Sequence, residues 1–202
     1  KREGNTQANL ILEGFYTRIN DRFINQDLTD IGNIKHKLKT NAKDQLAIIG
    51  ANLEANFAFG NQWVWQSGVT YQQSQFTEEQ TLWENEDPSD PKKVSSDRVM
   101  RSPDLYGYTT LSYSPISALK LSYNGVFTGK MYVPHVINAD SGEQIIVKSP
   151  NFYEQNIRVA YTFSLKDNYK LELFTGVKNL FNQYQKDFDL GKNRDANYIY
   201  GP

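Results

Sequence analysis

The sequence predicts an all-β chain: an antiparallel, up-and-down transmembrane β-barrel segment of about seven to eight strands. Three observations carry that expectation. Apolar and polar side chains alternate with one parity through six consecutive segments. The alternating runs exceed the ~5–6 residues of an average soluble strand and match the ~9–11 that cross a bilayer as a tilted strand. The connections alternate short and long, the asymmetry of barrel turns and outer loops.

The first strand is expected near 8–20, where Ile11, Phe15 and Ile19 compete with Leu10, Leu12 and Tyr16 for the outward face. The second, 46–59, puts Ala47, Ile49, Ala51, Leu53, Ala55, Phe57 and Phe59 on one side. The third and fourth fall at 62–77 and 104–114. In the fifth, 118–133, Leu119, Leu121, Tyr123, Phe127, Met131 and Val133 alternate with Lys120, Ser122, Asn124, Thr128 and Lys130. The sixth, 152–165, sets Ile157, Val159, Tyr161, Phe163 and Leu165 against Asn156, Arg158, Thr162 and Ser164. The seventh, 168–182, sets Leu171, Leu173, Val177 and Phe181 against Glu172, Lys178 and Leu180, and an eighth begins near Asn197.

Tight turns are expected at Gly60-Asn61, at Ser114-Pro115-Ile116-Ser117 and at Lys166-Asp167. Between the pairs run polar stretches, 21–45, 78–103, 134–151 and 183–196, longer than compact soluble domains usually carry. Phe59 and Trp63, then Tyr113, then Phe163 and Tyr169 bracket the short turns. Aromatic rings at the headgroup level bury an apolar body and keep a polar edge wet, which explains such a girdle. Seven strands and part of an eighth do not close a single-chain barrel, whose strand number is even and whose edges must not face lipid. The chain, opening at Lys1 without a Met, is therefore expected to be part of a larger wall.

Composition narrows the function classes. The formal net charge is −1, so no basic footprint points to nucleic acid. With no cysteine, disulfides, zinc–thiolate sites and thiol catalysis are excluded. No stretch approaches the ~18–20 apolar residues of a spanning helix. The mean hydropathy of −0.64 is compatible with a barrel, which needs apolar residues only at alternate strand positions.

Near the end the residues become specific. Gly176-Val177-Lys178-Asn179-Leu180-Phe181-Asn182-Gln183-Tyr184 resembles a signature found near the end of TonB-dependent outer-membrane receptors. Asp195-Ala196-Asn197-Tyr198-Ile199-Tyr200-Gly201-Pro202 resembles the tract leading into their final strand. The resemblance implies a 22-stranded barrel filled by an N-terminal plug. Residues 1–202 would be the C-terminal portion of that barrel, with the plug and the final strand outside this chain. It further implies a place in the bacterial cell outer membrane, in contact with outer-membrane lipid. A scarce nutrient would be bound at extracellular loops and imported to the periplasm, driven by the TonB–ExbB–ExbD energy-transducing complex through an N-terminal box. The nutrient is expected to be a metal chelate, a siderophore, haem or cobalamin, because the end of the chain is more similar to metal-chelate receptors than to glycan importers.

Trp83, Tyr132 and His135 are the expected ligand contacts; His135 stands where a strand emerges into an outer loop. The only other histidine, His36, is also in a loop, and no H-E-x-x-H spacing supports zinc. Glu84, Glu86, Asp87 and Asp90 form an acidic loop without EF-hand spacing and with Pro88 and Pro91 inside it, so its default is solvation. Asp187, Asp189 and Asp195 are read in the same way. No G-x-S-x-G occurs, and neither enzyme activity nor a cofactor is expected. Arg158, Lys130, Lys178 and Glu172 line the lumen, and Asn179 ends its strand. Two alternatives compete: a secreted carbohydrate-binding β-sandwich, which needs a closed two-sheet core, and an outer-membrane barrel enzyme.

Overall fold

The computed structural model describes residues 6–27, 37–85, 87–138, 140–166, 169–186, 189 and 194. Seven strands form one antiparallel meander: β1 (Thr6–Ile19), β4 (Leu46–Phe59), β5 (Trp63–Glu84), β7 (Leu105–Ile116), β8 (Leu119–Thr128), β11 (Phe152–Ser164) and β12 (Lys170–Val177). β6 (Lys93–Arg98) pairs with the far end of β5. Two separate hairpins, β2 (Phe23–Asp27) with β3 (Lys37–Asn41) and β9 (Tyr132–Val136) with β10 (Gln144–Lys148), rise from the long-loop side. Among the described residues the sheet is open, with β1 and β12 at its edges.

Directly opposed residues in an antiparallel pair share a face. Register therefore carries one face across the whole sheet. One rung runs Phe57, Trp65, Leu111, Tyr123, Ile157, Val177, and another Phe59, Trp63, Tyr113, Leu121, Val159. On β1 the partners of Ala55, Leu53 and Ile49 are Leu10, Leu12 and Tyr16, which settles the competition there in favour of the even-numbered set. Leu12 is 74% exposed and Leu10 67%, and no second sheet covers this face among the described residues. The closed core required by a sandwich is missing where the apolar side chains are densest. The opposite face carries Asn52, Thr70, Tyr106 and Thr128 in one rung, Glu54, Gly68, Tyr108, Val126 and Glu154 in the next, and Asn56, Gln66, Thr110, Asn124 and Asn156 in the one after. Its amides and hydroxyls bond across strands, as in Thr70 to Asn52 (2.8 Å) and Asn124 to Thr110 (3.1 Å).

The height of the apolar belt fits a membrane. From Phe59 to Ile49 is ten positions, which at ~3.4 Å each and a tilt of ~35–45° gives a rise of ~24–28 Å, against an apolar band of ~25 Å. Its short-turn border is aromatic: Trp63 stacks on Tyr113 at 4.0 Å and Phe57 on Trp65 at 5.3 Å. Tyr16 and Tyr71 stand near the other border.

The structure departs from the sequence expectations in the strand ends. β8 stops at Thr128 rather than running to Val133: Gly129 turns in against β7, its N–H donating to the Leu105 carbonyl at 2.7 Å, and Met131–Val136 leaves for its own hairpin. Pro134, without an N–H, suits a two-stranded ribbon better than a continued central strand. Pro115 lies inside β7 rather than in the turn, at a register irregularity between Tyr113 and Ile116 that tolerates the missing donor. β5 continues to Glu84 by pairing with β6 through a bulge, so much of the 78–103 stretch is hairpin rather than loop. β12 ends at Val177, short of the expected 182. The expected eighth strand near Asn197 lies outside the described residues.

Candidate functional site

Among the described residues, the largest fully buried side chain lies at the long-loop rim. Met131 and Val133 pack with Val147 from the facing hairpin strand, and Val133 is wholly buried. Ser149 closes the hairpin base: its backbone N–H donates to the Met131 carbonyl (2.9 Å), and its hydroxyl accepts from the Met131 N–H (3.1 Å). Such a dry, bonded base lets a loop hairpin hold its shape where a polar loop would be mobile.

On this hairpin Tyr132 faces Lys148, whose ammonium lies 4.9 Å from the ring centroid, and His135 pairs with Ile145. Three positions apart on one strand, Tyr132 and His135 point to opposite faces of the ribbon. Trp83 sits on the neighbouring tall hairpin, opposite Val94, and is half-buried. Tyr132 and His135 thus share a strand but not a face, and Trp83 belongs to a different hairpin.

His135 meets a partner that sequence reading does not pair with it. Its Nδ1 contacts the Asp189 carboxylate, whose second oxygen accepts from the Val136 N–H at 3.3 Å. The Asp189 side chain is 1% exposed. Arg101 completes the neighbourhood: its N–H donates to the Tyr132 carbonyl at 2.7 Å, burial pushes its guanidinium below the ordinary arginine value, and the Asp189 charge pushes back upward. Arg101 holds φ of 59°, a left-handed conformation uncommon for a side-chain-bearing residue.

A second polar knot ties the β2–β3 segment to the sheet. Arg22 donates to both Asp44 oxygens at 3.0 Å and to Gln80 at 2.6 Å, and its guanidinium lies 4.6 Å from the Phe76 ring. The acidic loop folds on itself instead. Ser89 donates from its hydroxyl and its N–H to Asp87, holding that carboxyl below its usual value. Lys92 pairs with Asp90 at 3.2 Å, which raises the lysine. Among the described residues no group of three or more His, Asp or Glu side chains is placed to hold a metal ion. His36, Glu86, Asp187 and Asp195 lie outside the described residues.

On the polar face a groove of about 430 Å³ is lined by Ser122, Asn124, Asn156, Arg158, Phe174 and Lys178. Arg158 donates to Glu172 at 2.8 Å and covers Phe174 at 4.3 Å from the ring centroid, so part of its charge is answered within the wall. Asn179 ends the last strand by a visible device. With φ of 49°, its side-chain oxygen accepts from the Gln183 N–H and its amide donates to the Gln183 carbonyl, both at 2.8 Å, while its own N–H donates to Asn156.

No protein-family description and no curated protein matches this sequence. Solved structures do share its fold. The ferric-catecholate import receptor Fiu of E. coli K12, in its closed form, superposes with a TM-score of 0.56 at 13% identity, over 87% of this chain and 21% of that one. The ferripyoverdine receptor of the Pseudomonas aeruginosa outer membrane, bound to ferripyoverdine, gives a TM-score of 0.56 at 16% identity over the same shares. The chain therefore spans 21% of the length of these receptors and has the fold of one section of their barrel wall.

Proposed function

We propose that this chain is a C-terminal part of the barrel wall, with its outer hairpins, of a TonB-dependent outer-membrane receptor that imports a metal chelate. The observation that carries the proposal is a face, uncovered among the described residues, whose Phe57 rung is apolar through all seven strands and whose Phe59 rung is apolar through the five central ones, beneath a β9–β10 hairpin with an ordered base. The terminal run from Gly176 to Tyr184 supports the family, and the shared fold supports the architecture. The plug, the closing strands and the box engaged by the TonB–ExbB–ExbD complex belong, in this proposal, to the rest of the receptor. The iron chelates named for both compared receptors support a ferric chelate as the cargo.

At the rim, Trp83, Tyr132 and His135 are the proposed contacts. A tyrosine ring with an ammonium over one face, as Tyr132 and Lys148 provide, offers a negatively charged chelate a cation beside an apolar surface. Nothing in this assignment requires a catalytic residue.

Titration calorimetry on the intact receptor with ferric siderophores tests it. Truncating Trp83 or Tyr132 to Ala is expected to weaken binding by about tenfold each, the scale of a lost aromatic anchor. Unchanged affinity in both variants would remove these residues from the ligand site.

A further inference from the structure

We propose that Asp189 is a positioning residue that straps the segment after β12 onto the β9–β10 hairpin and so sets the arrangement of the outer rim. The observations come from both sides of the contact. The segment turns directly after β12 through the paired amide bonds of Asn179 with Gln183 and the left-handed conformations at Asn179 and Asn182. It is then seated by two polar side chains placed out of solvent, Gln185 at 4% and Asp189 at 7% residue exposure. Asp189 grips two consecutive residues of one strand, the imidazole of His135 and the backbone N–H of Val136. Arg101, held to the same strand through the Tyr132 carbonyl, brings a third segment and a positive charge to the same carboxylate.

A carboxylate out of water is stable only while such partners answer it, and withdrawing one leaves a desolvated group exposed to its full penalty. Three rim segments distant in sequence are thus joined at one group, without any apolar contact being needed between them. This inference goes beyond the transport proposal and does not depend on the identity of the cargo.

The test uses the full receptor in bilayers, with spin labels at Ser141→Cys on the hairpin tip and at Tyr184→Cys on the strap, both exposed sites. The parent is expected to give one narrow distance distribution. Asp189→Ala is expected to broaden it about twofold at an unchanged unfolding midpoint of the barrel, and adding His135→Gln should change little more, because coupled residues are not additive. Asp87→Asn, in the self-bonded acidic loop, should leave the distribution narrow. If Asp189→Ala does not fold, His135→Gln alone carries the same expectation. A distribution equally narrow in the parent and in either strap variant would overturn the proposal, as would a broadening matched by Asp87→Asn.

Discussion

Asn179 shows how much one side chain decides at a strand end. It combines a left-handed backbone, which Asn tolerates better than most residues, with two side-chain bonds to Gln183. Asn179→Ala should lower stability by about 1–3 kcal/mol, because the bonds and the backbone preference are lost together. Asn179→Gly should recover part of that, since it restores only the conformation; denaturant midpoints of the refolded full-length protein measure both. The strand-ending role of Asn179 is legible in the sequence because it follows from parity and local spacing. The partnership of His135 with Asp189 is not, since the two lie 54 positions apart and neither sits in a periodic run. Arg22, Asp44 and Gln80 escape for the same reason: each reads as an ordinary loop polar residue until the fold brings them within 3.1 Å. Tyr132 and Trp83 could be singled out by residue type, but which face each would occupy depended on hairpins that the sequence does not announce.

The strands were legible where one side must be apolar and hidden where neither is. β4 begins and ends where alternation predicts, because every odd residue from Ala47 to Phe59 is apolar. β2, β3 and β6 are short, and the 37–41 and 93–98 runs are mostly polar, so they resemble loops in sequence while pairing as ribbons in the structure. Substitutions on the two faces of β4 separate wall from lumen. Leu53→Arg places a charge within the apolar belt and should cost about 2–4 kcal/mol, the value for a cation near the bilayer midplane. Asn52→Arg, one residue away on the polar face, should cost far less, within about 1 kcal/mol. Urea unfolding of the full-length protein in liposomes compares them. Similar costs at both positions would mean that the two faces of the strand do not differ in solvent.

At the scale of the molecule, the sheet has, among the described residues, two unpaired edges and an uncovered apolar face, so its stability is inseparable from what surrounds it. A strand edge in hydrocarbon leaves N–H and C=O groups without partners, each costing several kcal/mol, and closure by further strands removes that cost. The apolar belt, its aromatic border and the polar inner face were all foreseeable from the two-residue period; the ordered base of the rim was not, because it is assembled from residues that no periodicity connects. The central claim is that alternate side chains meet lipid and water. Spin labels placed singly from Ile49 to Phe59 in the reconstituted full-length protein test it most directly, through collision with oxygen, which concentrates in hydrocarbon, and with a water-soluble nickel chelate. Oxygen accessibility should peak at every odd position and nickel accessibility, where the lumen admits it, at the even ones. Odd positions shielded from oxygen, or a profile with no two-residue period, would contradict the account.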